Sequence, residues 1–248
     1  MTVLKSSREI STMRVAGKIV AECHALVAEK IRPGVTTRYL DQLVESHIRK
    51  AGAVPSFKGH QGFPASICVA PNDVICHGFP SDVPLREGDV ITIDIGAFYN
   101  GFHGDSAWTY AVGKVSPDVR RLMDAGKQAL FLGIQQACPD KRIGDIGHTI
   151  QTYVENLGYG VVRDFTGHGI GQNLWEKPTI PHYGKPGRGP VIKTGMTLAI
   201  EPILTLGDWK ARMDADGWTA RTRDGSICVE YEHTIAVTDN GPEILTVL

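Results

Sequence analysis

The sequence lacks what would direct it to a membrane, a nucleic acid or a disulfide scaffold. It holds no stretch of about 18 apolar residues, so no membrane span is expected. Its first residues, Met-Thr-Val-Leu-Lys-Ser-Ser-Arg-Glu, carry no apolar signal-peptide core. Lys and Arg number 26 against 27 Asp and Glu, for a formal net charge of -1. With no basic excess and no run of like charge, nucleic acid is not an expected partner. The five cysteines (Cys23, Cys68, Cys76, Cys138, Cys228) are an odd number without CxxC spacing. That argues against a disulfide framework or a Cys-rich zinc site and for a reducing cytoplasm. What is present is ordinary for a folded protein: 248 residues, 42% of them hydrophobic, within range of one large domain or two small ones.

Helical periodicity appears four times. Residues 7 to about 31 space Ile10, Met13, Ala16, Ile19, Val20, Cys23, Leu26 and Val27 along one face, with Pro33-Gly34 as the stop. Thr36 or Thr37 can cap a second helix carrying Leu40, Leu43, Val44 and Ile48, ended by Gly52. Ser116-Pro117-Asp118 opens a third, with Leu122, Ala125, Ala129, Leu132 and Ile134. A fourth carries Ile146, Ile150, Tyr153 and Leu157 and stops at Gly158. Pro33 and Pro139, Leu40 and Ile146, Val44 and Ile150, and Gly52 and Gly158 each stand 106 residues apart. Each helix pair precedes strands. Val90–Phe98 and Phe102–Val112 read as a hairpin turning at Tyr99-Asn100-Gly101, and Met196–Leu206 and Ser226–Thr238 read as strands. We therefore expect an internal duplication, with halves of roughly 7–112 and 116–238 sharing one sheet in a single domain, 1–248.

Five residues carry the chemistry: Asp94, Asp105, His168, Glu201 and Glu232. Asp94 sits in Val-Ile-Thr-Ile-Asp-Ile-Gly, where a charge needs a partner. The hairpin can return Asp105 to it. Two carboxylates at one spot repel unless a cation lies between them. His168 lies in Phe-Thr-Gly-His-Gly-Ile-Gly, a glycine-rich stretch without the Lys-Ser/Thr of a P-loop. Glu201 precedes Pro202, which cannot donate to a ladder and so marks a strand edge or bulge. Glu230 and Glu232 alternate onto one face, which leaves open which of them points to a metal. An oxygen-rich set with one nitrogen suits two divalent ions, with Mn²⁺, Fe²⁺ or Co²⁺ favoured and Zn²⁺ also accommodated. Such a pair would polarise a carbonyl and activate water.

These segments resemble type I methionine aminopeptidases over essentially the whole chain. The resemblance rests on Asn72-Asp73-Val74-Ile75-Cys76-His77-Gly78, Gly88 through Asp94, Asn100 through Asp105, Gly167-His168-Gly169-Ile170-Gly171, Gly195 through Pro202, Asp216-Gly217-Trp218-Thr219 and Tyr231-Glu232-His233-Thr234. It implies an α/β (α+β) pita-bread fold, a curved antiparallel sheet with two pseudo-two-fold-related helix pairs outside. It also implies that Asp94 is a bidentate ligand of one metal, that Asp105 and Glu232 bridge, and that His168 and Glu201 hold the other. Glu201 would also shuttle a proton, and His77 would contact the substrate at the scissile bond. Phe57, His60, Phe63, Cys68, Leu174 and Trp218 would line the methionine side-chain pocket. The activity implied is removal of the initiator methionine from nascent polypeptides with a small second residue. A monomer acting in the cytoplasm follows, with peptide N-termini as partners and at most transient contact with the ribosome.

Two features depart from the family. Trp175, in Gln172-Asn173-Leu174-Trp175-Glu176-Lys177-Pro178, replaces a histidine that contacts substrate; an indole donates one hydrogen bond and carries no proton. No Cys-rich zinc extension precedes the helices, so ribosome docking through one is not expected. Two rival readings are an Xaa-Pro aminopeptidase or prolidase, which usually carries a longer N-terminal region, and a catalytically weak pita-bread module that binds peptides.

Overall fold

The computed structural model describes residues 2–248. Helix α1 spans Ser7–Lys30, α2 Thr37–Lys50, α3 Pro117–Ile134 and α4 Ile143–Asn156, close to the four periodic segments. Local chemistry sets their starts. The Ser6 hydroxyl accepts from the Glu9 N–H while the Glu9 carboxylate accepts from the Ser6 N–H, a reciprocal cap. Thr36 accepts from Tyr39 N–H and Ser116 from Val119 N–H, with Pro117 opening α3. Gly52 and Gly158 follow α2 and α4 at φ of 75° and 80°, the left-handed stop that glycine adopts without strain. One expectation fails here. Leu157 caps α4 instead of joining its inner face and is 50% exposed.

The hairpin pairs Val90–Tyr99 with Phe102–Ala111 in continuous register, closing Tyr99 on Phe102. Asn100 and Gly101 both take positive φ, as a type I′ turn demands. Strands Ile67–Pro71 and Val54–Pro55 pair with the other edge of Val90–Tyr99. Ile91, Ile93 and Ile95 bury one hairpin face under α1 and α2. In the second half α3 and α4 cover Val161, Leu198, Ile200, Leu204 and Val229. A third apolar cluster, with Met13, Phe57, Phe63, Cys68, Ile170 and Leu174, lies between the two.

The long strands expected over Met196–Leu206 and Ser226–Thr238 are each broken. Thr197–Ile200 gives way at Glu201-Pro202 to Ile203–Thr205, and Cys228–Glu230 gives way at Tyr231-Glu232 to His233–Thr238. Both breaks lie at one level, between the Ile200–His233 pair and the Ile203–Glu230 pair. The cause is a loss of ladder donors. Pro202 has no N–H, the Glu201 N–H donates to His182 Nε2 at 3.1 Å, and the Glu232 N–H donates to Ala107 O at 2.8 Å. The upper pieces join a five-stranded sheet ordered Gly241–Ile244, His233–Thr238, Thr197–Ile200, Gly167–Gly169, Glu176–Ile180. The lower pieces join a separate three-stranded sheet with Gly160–Val161.

Hydroxyls stitch the two hairpins together. Ser106 Oγ donates to Glu232 O at 2.6 Å, Thr109 Oγ1 to Glu230 O at 2.8 Å and Thr234 Oγ1 to Asp105 O at 2.8 Å. Behind this seam α1 lies directly on the strand, because Gly104 has no side chain. A Cβ there would meet Gly17 N at 2.7 Å and Ala16 C at 2.9 Å, both backbone. Among the described residues no helix is long and apolar enough to cross a membrane, and the cysteines are unpaired.

Gly104→Ala should therefore push α1 off the strand that carries Asp105 and cost about 1–3 kcal/mol. Urea unfolding checks this; a midpoint equal to that of the parent would mean the helix yields freely.

Candidate metal centre

The register of the hairpin places its two aspartates. Asp94 faces Ala107 and Gly96 faces Asp105, so Asp94 and Asp105 are diagonal neighbours on the same sheet face. Ile93 and Ile95 point the other way, into the helix-covered core. His168 comes from the short strand Gly167–Gly169, opposite Ala199. Glu201 and Glu232 come from the two strand breaks. Asp105, His168 and Glu232 each present a ligand atom, and these atoms lie within 4.8 Å of one another. His168 Nε2 is 3.5 Å from Glu201 Oε1, too far for a well-formed hydrogen bond. All five sequence-predicted ligands line one cleft of about 510 Å³.

The electrostatics of this group are unbalanced. Asp94 Oδ1, Asp105 Oδ1, Glu201 Oε1 and Glu232 Oε1 are buried and make no hydrogen bond. Burial, with the neighbouring acids adding to it, holds Asp94, Glu201 and Glu232 well above the usual carboxylate range. Burial pushes Asp105 up to about 7. Glu230 stands beside them; burial and the nearby Asp105 push it up to about 8. Orphaned carboxylate oxygens converging on a point are what a cation site requires. The imidazole fits the same demand. His168 Nδ1 donates to Gly169 O at 2.8 Å, so Nε2 keeps its lone pair toward the acids, and burial depresses the pKa to about 4. The donor set fits divalent ions.

The rest of the predicted residues gather around this centre. His77 lines the cleft at φ 57°, an uncommon conformation for a non-glycine residue. Its ring stands edge-on to Phe165 and Trp218, and burial lowers its pKa. Phe57, Phe63, Cys68, Leu174 and Trp218 form one apolar wall, with Phe63 and Trp218 rings 5.2 Å apart. His60 and Trp175 stand at the mouth, their rings edge-to-face at 4.8 Å. Trp175 is 45% exposed. Its loop is fixed from below by an ion pair between Lys5 and Glu176, whose side chains are only 2% and 9% exposed. Glu176 also accepts from Asn173 N–H.

Sequence reasoning missed three participants. His182 is buried, and burial lowers its pKa to about 3; it accepts the Glu201 N–H and fixes that break. Nothing in Pro181-His182-Tyr183 signals this from sequence. Phe165 and Cys76 also line the cleft, inside the stretches that carry His168 and His77.

A model of metallopeptidase family M24 matches residues 11–239, and the chain belongs to that family. Methionine aminopeptidase 1 of Bacillus subtilis (strain 168) is 50% identical to it over 246 residues, 99% of each chain. The crystal structure of methionine aminopeptidase from Thermotoga maritima matches with a TM-score of 0.99 at 43% identity, covering 100% of both chains. Prolidase from Pyrococcus furiosus has a TM-score of 0.79 at 24% identity, and the match covers 66% of its chain. That likeness extends to the fold alone. The expected pita-bread fold and aminopeptidase class are thus borne out, and the family's chemistry depends on divalent metal.

Removing metal should make the protein sensitive to alkali. Above about pH 7 the histidines whose pKa burial lowers are neutral in the folded chain. The acids with raised pKa hold protons only when folded, so stability falls as pH rises. Chelator-treated protein should lose about 1.4 kcal/mol per pH unit for each proton held between about pH 7 and 8, and Mn²⁺ should abolish the slope. Melting temperatures that stay flat in that window without metal would contradict the unbalanced cluster.

Proposed function

We propose that the chain removes N-terminal methionine from polypeptides whose second residue is small, and that residues 1–248 form one catalytic domain built from two repeated halves. One observation carries this reading. Four buried, unpartnered carboxylate oxygens and the free Nε2 side of His168 converge at the base of an apolar cleft, in a chain akin to methionine aminopeptidases along its whole length.

Asp94, Asp105, His168, Glu201 and Glu232 would together hold two divalent ions. Mn²⁺, Fe²⁺ or Co²⁺ suits the oxygen-rich set, and Zn²⁺ can be accommodated. When bound, the ions supply Lewis acidity toward the scissile carbonyl and make a water nucleophilic near neutral pH. Glu201 would carry a proton between the attacking water and the leaving amine. Its orientation depends on His182, which pins its backbone. His77, kept neutral by burial, can hydrogen-bond the peptide at the scissile bond. The methionine thioether lies against Phe57, Phe63, Cys68, Leu174 and Trp218, an apolar, polarizable wall suited to an unbranched side chain. His60 and Trp175 narrow the mouth, which favours a small second residue. The expected setting is a cytoplasmic monomer meeting nascent N-termini, with at most transient ribosome contact.

The deciding assay compares Met-Ala-Ser with an Ala-Pro peptide, each with Mn²⁺ or Co²⁺ and again with chelator. Metal-dependent cleavage of the methionyl peptide alone is expected, and Met-Leu-Ser should be cut more slowly than Met-Ala-Ser. Cleavage of the prolyl peptide instead would move the activity to the prolidase type, and cleavage of neither would favour a peptide-binding module. Trp175→His should raise kcat/KM on methionyl peptides by one transition-state contact, roughly 10²-fold at most. Equal kcat/KM on every peptide would make Trp175 irrelevant to turnover.

A further inference from the structure

Two divalent ions carry four positive charges, and Asp94, Asp105, Glu201 and Glu232 carry four negative ones. The cleft contains one carboxylate more. Glu230 ends the strand Cys228–Glu230 and lines the same cleft as those four. It is only 5% exposed. Its backbone is fixed, with N–H donating to Thr109 Oγ1 at 2.9 Å and C=O accepting from Thr109 Oγ1 at 2.8 Å. Its strand partner is Ile203, which offers no hydrogen bond to a carboxylate. Among the described residues no Lys or Arg forms an ion pair with it; the buried Lys5 is held by Glu176. A carboxylate buried for structural reasons is ordinarily paired with a base. Glu230 faces acids instead.

We propose that Glu230 is a sixth member of the metal centre, an outer carboxylate whose charge tightens the binding of divalent cations. The proposal rests on the two-ion reading of the five ligands. An anion next to a cation pair, at a buried position in the cleft, acts at the reduced dielectric of the interior. Groups just outside the ligand set commonly tune metal affinity about 10–100-fold. Glu230 needs no direct bond to an ion for this. The strand break at Tyr231-Glu232 separates it from its neighbour, so Glu232 joins the ligand cluster while Glu230 stays one level below.

The test is calorimetric titration of Mn²⁺ into chelator-treated protein without substrate, in the parent, Glu230→Gln and Glu230→Asp. Glu230→Gln should bind at least one Mn²⁺ about 10–100-fold more weakly. Its metal-free form should melt at or above the parental temperature, since one unpaired acid is gone. Glu230→Asp keeps the charge and should stay within about threefold of the parent. Affinity of Glu230→Gln within twofold of the parent would overturn the proposal. So would an equal loss in Glu230→Asp, which would make geometry and not charge the cause. A raised KM for a methionyl peptide with Mn²⁺ affinity unchanged would assign Glu230 to the substrate's α-ammonium and also overturn it. A parent protein that binds no Mn²⁺ would remove the two-ion reading itself, a separate and recognisable failure.

Discussion

Mutual repulsion among buried acids is the constraint around which this molecule is arranged. Asp94, Asp105, Glu201, Glu230 and Glu232 are brought from four strand segments into one water-poor cleft, where each raises the cost of ionising the others. A fold left to itself would spread such charges over its surface or pair them with Arg and Lys. Here no ion pair joins these acids to Lys or Arg among the described residues. Lys5, beneath the mouth, is held by Glu176, and Lys177, which lines the cleft, is exposed and forms no ion pair with the acids. The folded chain therefore stores an electrostatic cost that cations relieve, so metal binding and stability draw on the same free energy.

Holding these charges together requires rigid backbone, and the seam between the two hairpins provides it. Ser106, Thr109 and Thr234 donate across the seam to the carbonyls of Glu232, Glu230 and Asp105. These are the acidic residues themselves, so the hydroxyls clamp the backbone and leave the carboxylates free to face the cleft. Gly104 lets α1 lie flat behind the same strand. The strand breaks do complementary work. An unbroken strand would send alternate side chains to opposite faces, whereas releasing the N–H groups of Glu201 and Glu232 from the ladder turns both acids toward His168.

Much of this was legible in the chain because it is written in local chemistry. The caps at Thr36 and Ser116, the glycine stops at 52 and 158 and the Asn100-Gly101 turn act over three or four residues. The hairpin that returns Asp105 toward Asp94 followed, and the register then puts both on one face. The resemblance then supplied the pocket residues, and the structure brings them together. What stayed hidden depends on partners far apart in sequence. The breaks at 201–202 and 231–232 are fixed by His182 and Ala107. The Lys5–Glu176 pair joins residues 171 positions apart. Alternation placed Glu230 and Glu232 on one face, and only the break separates a ligand from its neighbour. Leu157 shows the opposite error, since periodicity ran one residue past the end of the helix.

The cleft mouth is where this chain parts from the pattern it otherwise follows. Trp175 adds a large ring and withholds the proton that an imidazole could carry, yet it does not stand alone. It packs edge-to-face with His60, it lies 6.5 Å from the His168 ring, and its neighbour Glu176 is locked by Lys5. A ring packed on His60, in a loop anchored through Glu176, acts as a wall more than as a flexible flap. In the proposed reading, the proton chemistry that the indole cannot perform falls to Glu201 and His77, both lining the cleft and largely buried. Substitution at the mouth thus separates two tasks. The interior carboxylates and imidazoles handle charge, and the aromatic rim handles shape. That division explains how a chain can change a polar contact to an indole while keeping every carboxylate of its metal centre in place.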